Sequence, residues 1–233
     1  MLWHKTTGNG PNLVILHGWG YSSDILQGLV EKNKANYCIT VIDLPGHGRS
    51  EDVDGDIESW SDELIKLIPE NSTLLGWSLG GLLSIYIASK IQLKELILVA
   101  ATPCIVNNDN WKYGIKSEVF HQFSVNLKTD GTRSLKRFVS LQSKDKSQIK
   151  ELYKAIQKYP ATDSALNTGL NILINSDLQD LYKEIEIPKT AILGSLDTLV
   201  PVKIKDWYIE NETKTYLLRS GHLPFLDNTF KLP

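Results

Sequence analysis

Ser72-Thr73-Leu74-Leu75-Gly76-Trp77-Ser78-Leu79-Gly80-Gly81 is the stretch that decides how this chain folds. A short apolar run leads into a G-x-S-x-G pentapeptide, and the residues beyond it, Leu82, Leu83, Ile85, Tyr86 and Ile87, continue at helical spacing. The order is strand, sharp turn, helix. Small residues around Ser78 let the backbone take a strained turn that lifts the hydroxyl clear of its surroundings, the arrangement of a nucleophile elbow. A bare G-x-S-x-G arises often by chance, so the flanking strand and helix carry the reading.

Working outward, apolar runs at 13–16, 38–42, 72–75 and 96–100 predict buried parallel strands, with two more at 190–193 and 215–218. Between the early runs lie helix-compatible stretches such as 57–68, with Trp60, Leu64, Ile65, Leu67 and Ile68 on one side. Strands alternating with helices predict an α/β fold with a mostly parallel central sheet covered on both faces. Residues 103–187 break that rhythm. They contain no strand-like run but four amphipathic helical patterns, around 119–127, 135–141, 149–156 and 166–174. The expected organisation is a sheet core from 1–102 and 188–233, with a helical cap inserted at 103–187.

The 233 residues suffice for one domain with a sizeable core, and 42% hydrophobic against 22% charged residues is an ordinary globular balance. The longest apolar runs fall far short of the ~20 residues needed to span a bilayer, so no membrane association is expected. The first residues, Met1-Leu2-Trp3-His4-Lys5, lack a basic region followed by an apolar block, which predicts a cytoplasmic protein. Cys38 and Cys104 are far apart, which argues against a disulfide framework and against a C-x-x-C metal or redox site. Charge is uneven: residues 112–158 hold eleven Lys or Arg against four Asp or Glu, a local +7, leaving about −9 elsewhere for a whole-chain −2.

A serine hydroxyl is a weak nucleophile at neutral pH and needs a base within hydrogen-bond reach, itself oriented by a carboxylate. His222, in Ser220-Gly221-His222-Leu223-Pro224-Phe225, follows the last predicted strand in a glycine-containing loop. Asp197 lies just past the carboxyl end of the fifth strand, whereas Asp163, Asp177, Asp180 and Asp206 directly follow no predicted strand. Acyl transfer also needs fixed donors for an oxyanion, and the amides of Trp19 and Leu79 are well placed to supply them. Of the other histidines, His17 is expected to brace the Trp19 loop, His47 to serve a structural turn, and His4 and His121 to be surface or packing residues. Asp43 precedes Ser78 in the chain and is not expected to serve as the acid. The glycine-rich turns lack G-x-G-x-x-G and G-K-[ST], and no His and carboxylate cluster suggests a metal, so neither cofactor nor metal is expected.

The motifs LHGWG (16–20), DLPGHGRS (43–50), GWSLGG (76–81), LGSLDTLVP (193–201) and SGHLPF (220–225) together resemble the α/β-hydrolase superfamily over nearly the whole chain. The order Ser78, Asp197, His222 is the triad order of that superfamily. More narrowly, GWSLGGL, AATPC with the following NDNWKYGIK, RFVSLQ, GLNILINSDLQ and SLDTLVP resemble the carboxylesterase family of biotin synthesis. That resemblance implies hydrolysis of the methyl ester of a pimeloyl chain carried on acyl-carrier protein, with Ser78 as nucleophile, Asp197 as acid and His222 as base. It implies substrate contacts at Trp19, Ser78, Leu79, Phe138, Val139, Ser140, Leu141, Gln142 and His222. Basic residues that face the carrier protein in the family match Arg133 and Arg137 and, with a change to lysine, Lys150 and Lys154. An acidic carrier and a basic cap are complementary, and each of these pairs is spaced i,i+4 on one helix face. No nucleic-acid partner is expected, and the protein is expected to act as a monomer. Other readings are a broad short-chain carboxylesterase, a thioesterase or a carbon–carbon bond hydrolase of the same fold, and, outside enzymes, a non-catalytic binding module.

Overall fold

The computed structural model describes residues 1–227 and 229–232. Seven strands form one sheet: β1 (His4–Thr7), β2 (Asn12–Leu16), β3 (Cys38–Ile42), β4 (Thr73–Trp77), β5 (Glu95–Val99), β6 (Lys189–Gly194) and β7 (Lys214–Leu218). Their spatial order is β1-β3-β2-β4-β5-β6-β7, with β1 antiparallel to β3 and every other pairing parallel. The six apolar runs all become strands. The shift is at β4, which continues through Gly76 and Trp77, so the strand ends immediately before Ser78.

Alternation along the strands divides the core in two. Val14, Leu16, Ile42, Leu74, Leu96 and Leu98 face one side, where α2 (Ile57–Ile65), α3 (Leu79–Ala88) and α9 (Ile204–Glu210) pack. Leu13, Ile15, Ile39, Leu75, Ile97 and Val99 face the other, against α1 (Gln27–Asn33) and the 3-10 turn Pro224–Leu226. Strands buried on both faces read as continuous apolar runs, which is why they are visible in the sequence. Eight of the ten residues of α3 are buried, as a helix that is apolar all round must be.

Between β5 and β6 lie α4 (Ser117–Thr129), α5 (Gly131–Gln142), α6 (Lys146–Lys158), α7 (Asp163–Asn175) and α8 (Gln179–Glu184). Caps set several of their starts. Asp130 accepts from the Arg133 amide at 3.0 Å, Asp145 from the Ser147 amide at 2.8 Å, and Thr162 from the Ala165 amide at 3.0 Å. The fifth helix has no counterpart in the apolar spacing. It is short and is held mainly by fully buried Tyr182, which packs on Trp207 and Tyr208 of α9. The remaining helices contribute to both halves of the core, Leu166, Leu170 and Leu173 to one and Val139, Leu152 and Ile156 to the other.

Candidate active site

Ser78 sits between β4 and α3 with φ 55° and ψ −117°, in the region that side chains rarely adopt. The neighbouring glycines make this turn possible. A Cβ on Gly76 would lie 2.3 Å from the Gly80 carbonyl oxygen, and one on Gly80 would lie 2.5 Å from the carbonyl oxygens of Leu16 and His17. Strand, turn and helix can approach this closely only without side chains at those two positions.

The loops after β6 and β7 reach the same point. His222 Nε2 is 2.9 Å from Ser78 Oγ, and His222 Nδ1 is 2.8 Å from Asp197 Oδ2. The Asp197 and His222 side chains are each only 1% exposed. Asp197 Oδ1 accepts from the amides of Leu199 and Val200 at 2.8 and 3.1 Å, which fixes the carboxylate. The network is satisfied when His222 carries its proton on Nδ1, donates it to Asp197 and accepts from the Ser78 hydroxyl. The rival aspartates lie elsewhere. Asp177 bonds Asn108 and Gln179, Asp180 pairs with Lys183, and Asp163 and Asp206 lie in the first turns of α7 and α9.

The amides of Trp19 and Leu79 donate to no other described residue. Leu79 opens α3, so its amide is one of the helix's unpaired N-terminal donors and lies at the positive end of the helix dipole. The Trp19 loop is braced by His17, whose Nδ1 donates to the Gly18 carbonyl at 2.9 Å and whose Nε2 accepts from the Leu44 amide at 2.9 Å. Burial lowers the His17 pKa, which keeps the ring neutral as the accepting nitrogen requires. Asp43 is wholly buried beneath the same region. Burial alone would raise its pKa, but hydrogen bonds from Arg49 and Ser23 outweigh that effect and lower it. Its partners are structural, and it stands apart from His222.

A cavity opens on Ser78. Of its twelve described lining residues, Ser78 is the one polar side chain; Trp19 and Leu199 come from loops beside the sheet and the rest lie between residues 105 and 173. The Trp19 indole donates to the Leu166 carbonyl at 2.8 Å and meets Phe123 and Phe138 edge-on.

The stretch 138–142 is divided by its helix. Phe138 and Leu141, three residues apart on α5, line the cavity. Val139 is buried among core residues, the Ser140 hydroxyl donates back to the Arg137 carbonyl at 2.7 Å, and Gln142 accepts from the Tyr21 hydroxyl at 2.8 Å. Five consecutive helical residues point around the whole circumference, so of the stretch expected to contact substrate Phe138 and Leu141 are the two that line this cavity. The Leu79 side chain is fully buried in the core, which leaves its amide, the group expected to serve as oxyanion donor, to face a ligand. The walls Ile105, Ile115, Val119, Phe120, Phe123, Leu170, Leu173 and Leu199 carry no signal in the sequence that separates them from ordinary packing.

Arg133 and Arg137 are exposed on α5 and border a surface groove with Asn126 and Thr129 of α4. Lys150 and Lys154 are exposed on α6, and Lys154 pairs with Glu151 of its own helix at 2.9 Å. Among the described residues no group of three or more His, Cys, Asp or Glu could hold a metal ion, and no helix is long and apolar enough to cross a membrane.

Fold and site together define a hydrolase built on a nucleophile elbow, and a family model described as the alpha/beta hydrolase family matches residues 13–230. The chain belongs to the α/β hydrolase family. An esterase from Exiguobacterium antarcticum superposes with a TM-score of 0.89 over 97% of this chain and 90% of its own, at 21% identity. An enol-lactonase from Burkholderia xenovorans LB400 gives 0.81 at 18% identity, over 95% of this chain and 89% of its own. At those identities the likeness is one of fold. Curated relatives are more specific. The pimeloyl-[acyl-carrier protein] methyl ester esterase of Aliivibrio salmonicida is 36% identical over 98% of this chain and 91% of its own length. The protein of the same name from Pseudoalteromonas atlantica is 33% identical over 97% and 92%. Within the α/β hydrolases the chain therefore falls in the family of carboxylic ester hydrolases that carry this name.

Proposed function

We propose that this chain is a serine carboxylesterase that hydrolyses the methyl ester of pimeloyl-[acyl-carrier protein] in biotin biosynthesis, releasing methanol and the free carboxylate. The observation that carries the chemistry is the unbroken chain from Ser78 through His222 to Asp197 at 2.9 and 2.8 Å. The Ser78 hydroxyl proton passes to His222 Nε2 as Oγ bonds to the ester carbonyl carbon. The oxyanion that develops is held by the amides of Trp19 and Leu79, each worth ~3 kcal/mol of transition-state stabilisation. Collapse breaks the bond to methoxide, which leaves as methanol with the proton from His222. Water then gives a proton to His222 and its oxygen to the acyl carbon, and the carboxylate departs as Ser78 regains its hydrogen. Asp197 keeps the imidazole oriented and stabilises its charged form throughout.

The substrate reading is supported by the cavity and by charge. A wall of apolar side chains around Ser78 suits a run of methylenes bearing an uncharged ester, and none of its described lining residues is cationic to retain a carboxylate product. Exposed Arg133, Arg137, Lys150 and Lys154 on α5 and α6 form a docking face for an acidic carrier protein, which complementary potential would steer to the cleft. We further propose that the enzyme works in the cytoplasm as a monomer, with 103–187 as its cap. The test is purified protein with methyl pimeloyl-carrier protein, read by mass spectrometry. Loss of the methyl group with the carrier thioester intact is expected. Cleavage of the thioester, or turnover confined to short free esters, would replace this reading with a thioesterase or a broad carboxylesterase.

A further inference from the structure

We infer that the C-terminal end of α5 positions the acid and base loops of the triad, with Thr198 as the side chain that ties the acid loop to it; this rests on the roles proposed above for Ser78, Asp197 and His222. A helix ends with main-chain carbonyls that have no partner of their own. On α5 two of these are taken by the loops that carry the triad. The Thr198 hydroxyl donates to the Leu141 carbonyl at 2.7 Å, and the His222 amide donates to the Gln142 carbonyl at 3.1 Å.

The second contact demands glycine beside it, because a Cβ on Gly221 would lie 2.3 Å from the Gln142 carbonyl oxygen. The helix end is itself held fast. Gln142 is 1% exposed and accepts from the Tyr21 hydroxyl, while the Tyr21 ring packs on Trp77 at 5.2 Å. The Trp77 indole in turn donates to the His222 carbonyl at 2.8 Å. The peptide of His222 is thus gripped on both sides, its amide by α5 and its carbonyl by β4. Among the described residues the acid loop's hydrogen bond to α5 comes from one side chain, next in sequence to Asp197. Thr198 is exposed, lines no part of the cavity and touches no reacting atom, so it acts through Asp197 as a positioning residue.

Removing the hydroxyl leaves the Leu141 carbonyl to water, a small cost in stability, but frees the loop whose carboxylate must hold the imidazole in line. The test uses full-length Thr198→Val, Thr198→Ala and Thr198→Ser with a small p-nitrophenyl ester and with a fluorophosphonate that labels Ser78. Val and Ala are expected to lower kcat roughly tenfold, the loss of about one hydrogen bond's worth of positioning, with KM and melting temperature nearly unchanged. Labelling should slow by the same factor, and Ser should restore both rates. Wild-type kcat and labelling in Val and Ala, or a Ser variant as slow as they are, would overturn the inference. Ser78→Ala separates the two levels: turnover surviving there removes the triad reading itself, whereas an inert Ser78→Ala beside a fast Thr198→Val removes the positioning role alone.

Discussion

Two helices, α3, which begins just after Ser78, and α4, which lines the cavity beside Ser78, differ in almost everything. In α3, eight of ten residues are buried, and the helix begins at the residue after Ser78. In α4, Leu127 is the one buried residue of thirteen, while Val119 and Val125 are 56% and 43% exposed. The first is fixed by close packing on every side, as a turn that holds a serine at positive φ requires. The second offers Val119, Phe120 and Phe123 to the cavity while most of its surface meets solvent. Ser78, Asp197 and His222 sit at the ends of closely packed sheet elements, and a lightly buried helix walls the cavity that opens on Ser78. Low burial is the mark of a segment that opens at small free-energy cost.

The sharpest way to break this contrast is Ser78→Ala. If the sheet region holds the chemistry, hydrolysis of a p-nitrophenyl ester falls on the order of 10⁴- to 10⁶-fold while the melting curve stays in place. Residual turnover near wild type would remove the triad from the mechanism. Next comes packing. Leu83→Ala in α3 should cost about 2–5 kcal/mol in denaturant unfolding, because a buried Leu leaves a cavity. The matching change in α4, Val119→Ala, should stay within about 0.5 kcal/mol and act on KM instead. Equal costs in the two helices would erase the distinction drawn between them.

Acid should find the sheet region through its buried histidines. Burial, the largest cause, pushes the His47 pKa down to about 3, and the ring is fully buried. An unfolded histidine takes up a proton below about 6.5, so between that value and about 3 the unfolded chain binds more protons and stability falls as pH is lowered. From pH 7 to pH 5 His47 alone should cost roughly 2 kcal/mol, a loss that His47→Gln would reduce in urea titrations at the two pH values. A pH-independent midpoint in that window would contradict the buried neutral ring.

The smallest effect belongs to the exposed surface of α5 and α6. Reversing charge at Arg133, Arg137, Lys150 and Lys154 should lower kcat/KM for the carrier-bound ester by about tenfold at low salt, less at high salt, and spare a small free ester. Equal loss on both substrates would place the damage in the cavity wall instead of a docking face.

Much of this was legible beforehand for identifiable reasons. Strands buried on both faces need unbroken apolar residues, so 13–16, 38–42 and 96–100 stand out. The elbow needs Gly76 and Gly80 because backbone passes within 2.3–2.5 Å of where their side chains would be. Other features are silent in one dimension. Phe138 and Val139 are adjacent, yet one faces the cavity and the other the core, since helix rotation alone separates them. The six-residue α8 has too few turns to show a period, and it is the aromatic stack on α9 that holds Tyr182 in place. Nothing near Leu141 or Thr198 in the sequence announces that the two will meet.

The order of strands and helices, the serine turn and the chemical types of its partners follow from local rules that act within a few residues, such as steric limits, apolar periodicity and capping. Tertiary structure alone decided which apolar side chains became a binding wall, which histidine nitrogen faces Ser78, and how α5 came to rest against the acid and base loops. Those outcomes depend on distances between segments far apart in the chain, 144 residues in the case of Ser78 and His222, and such distances are set only when the sheet has closed and its helices have packed.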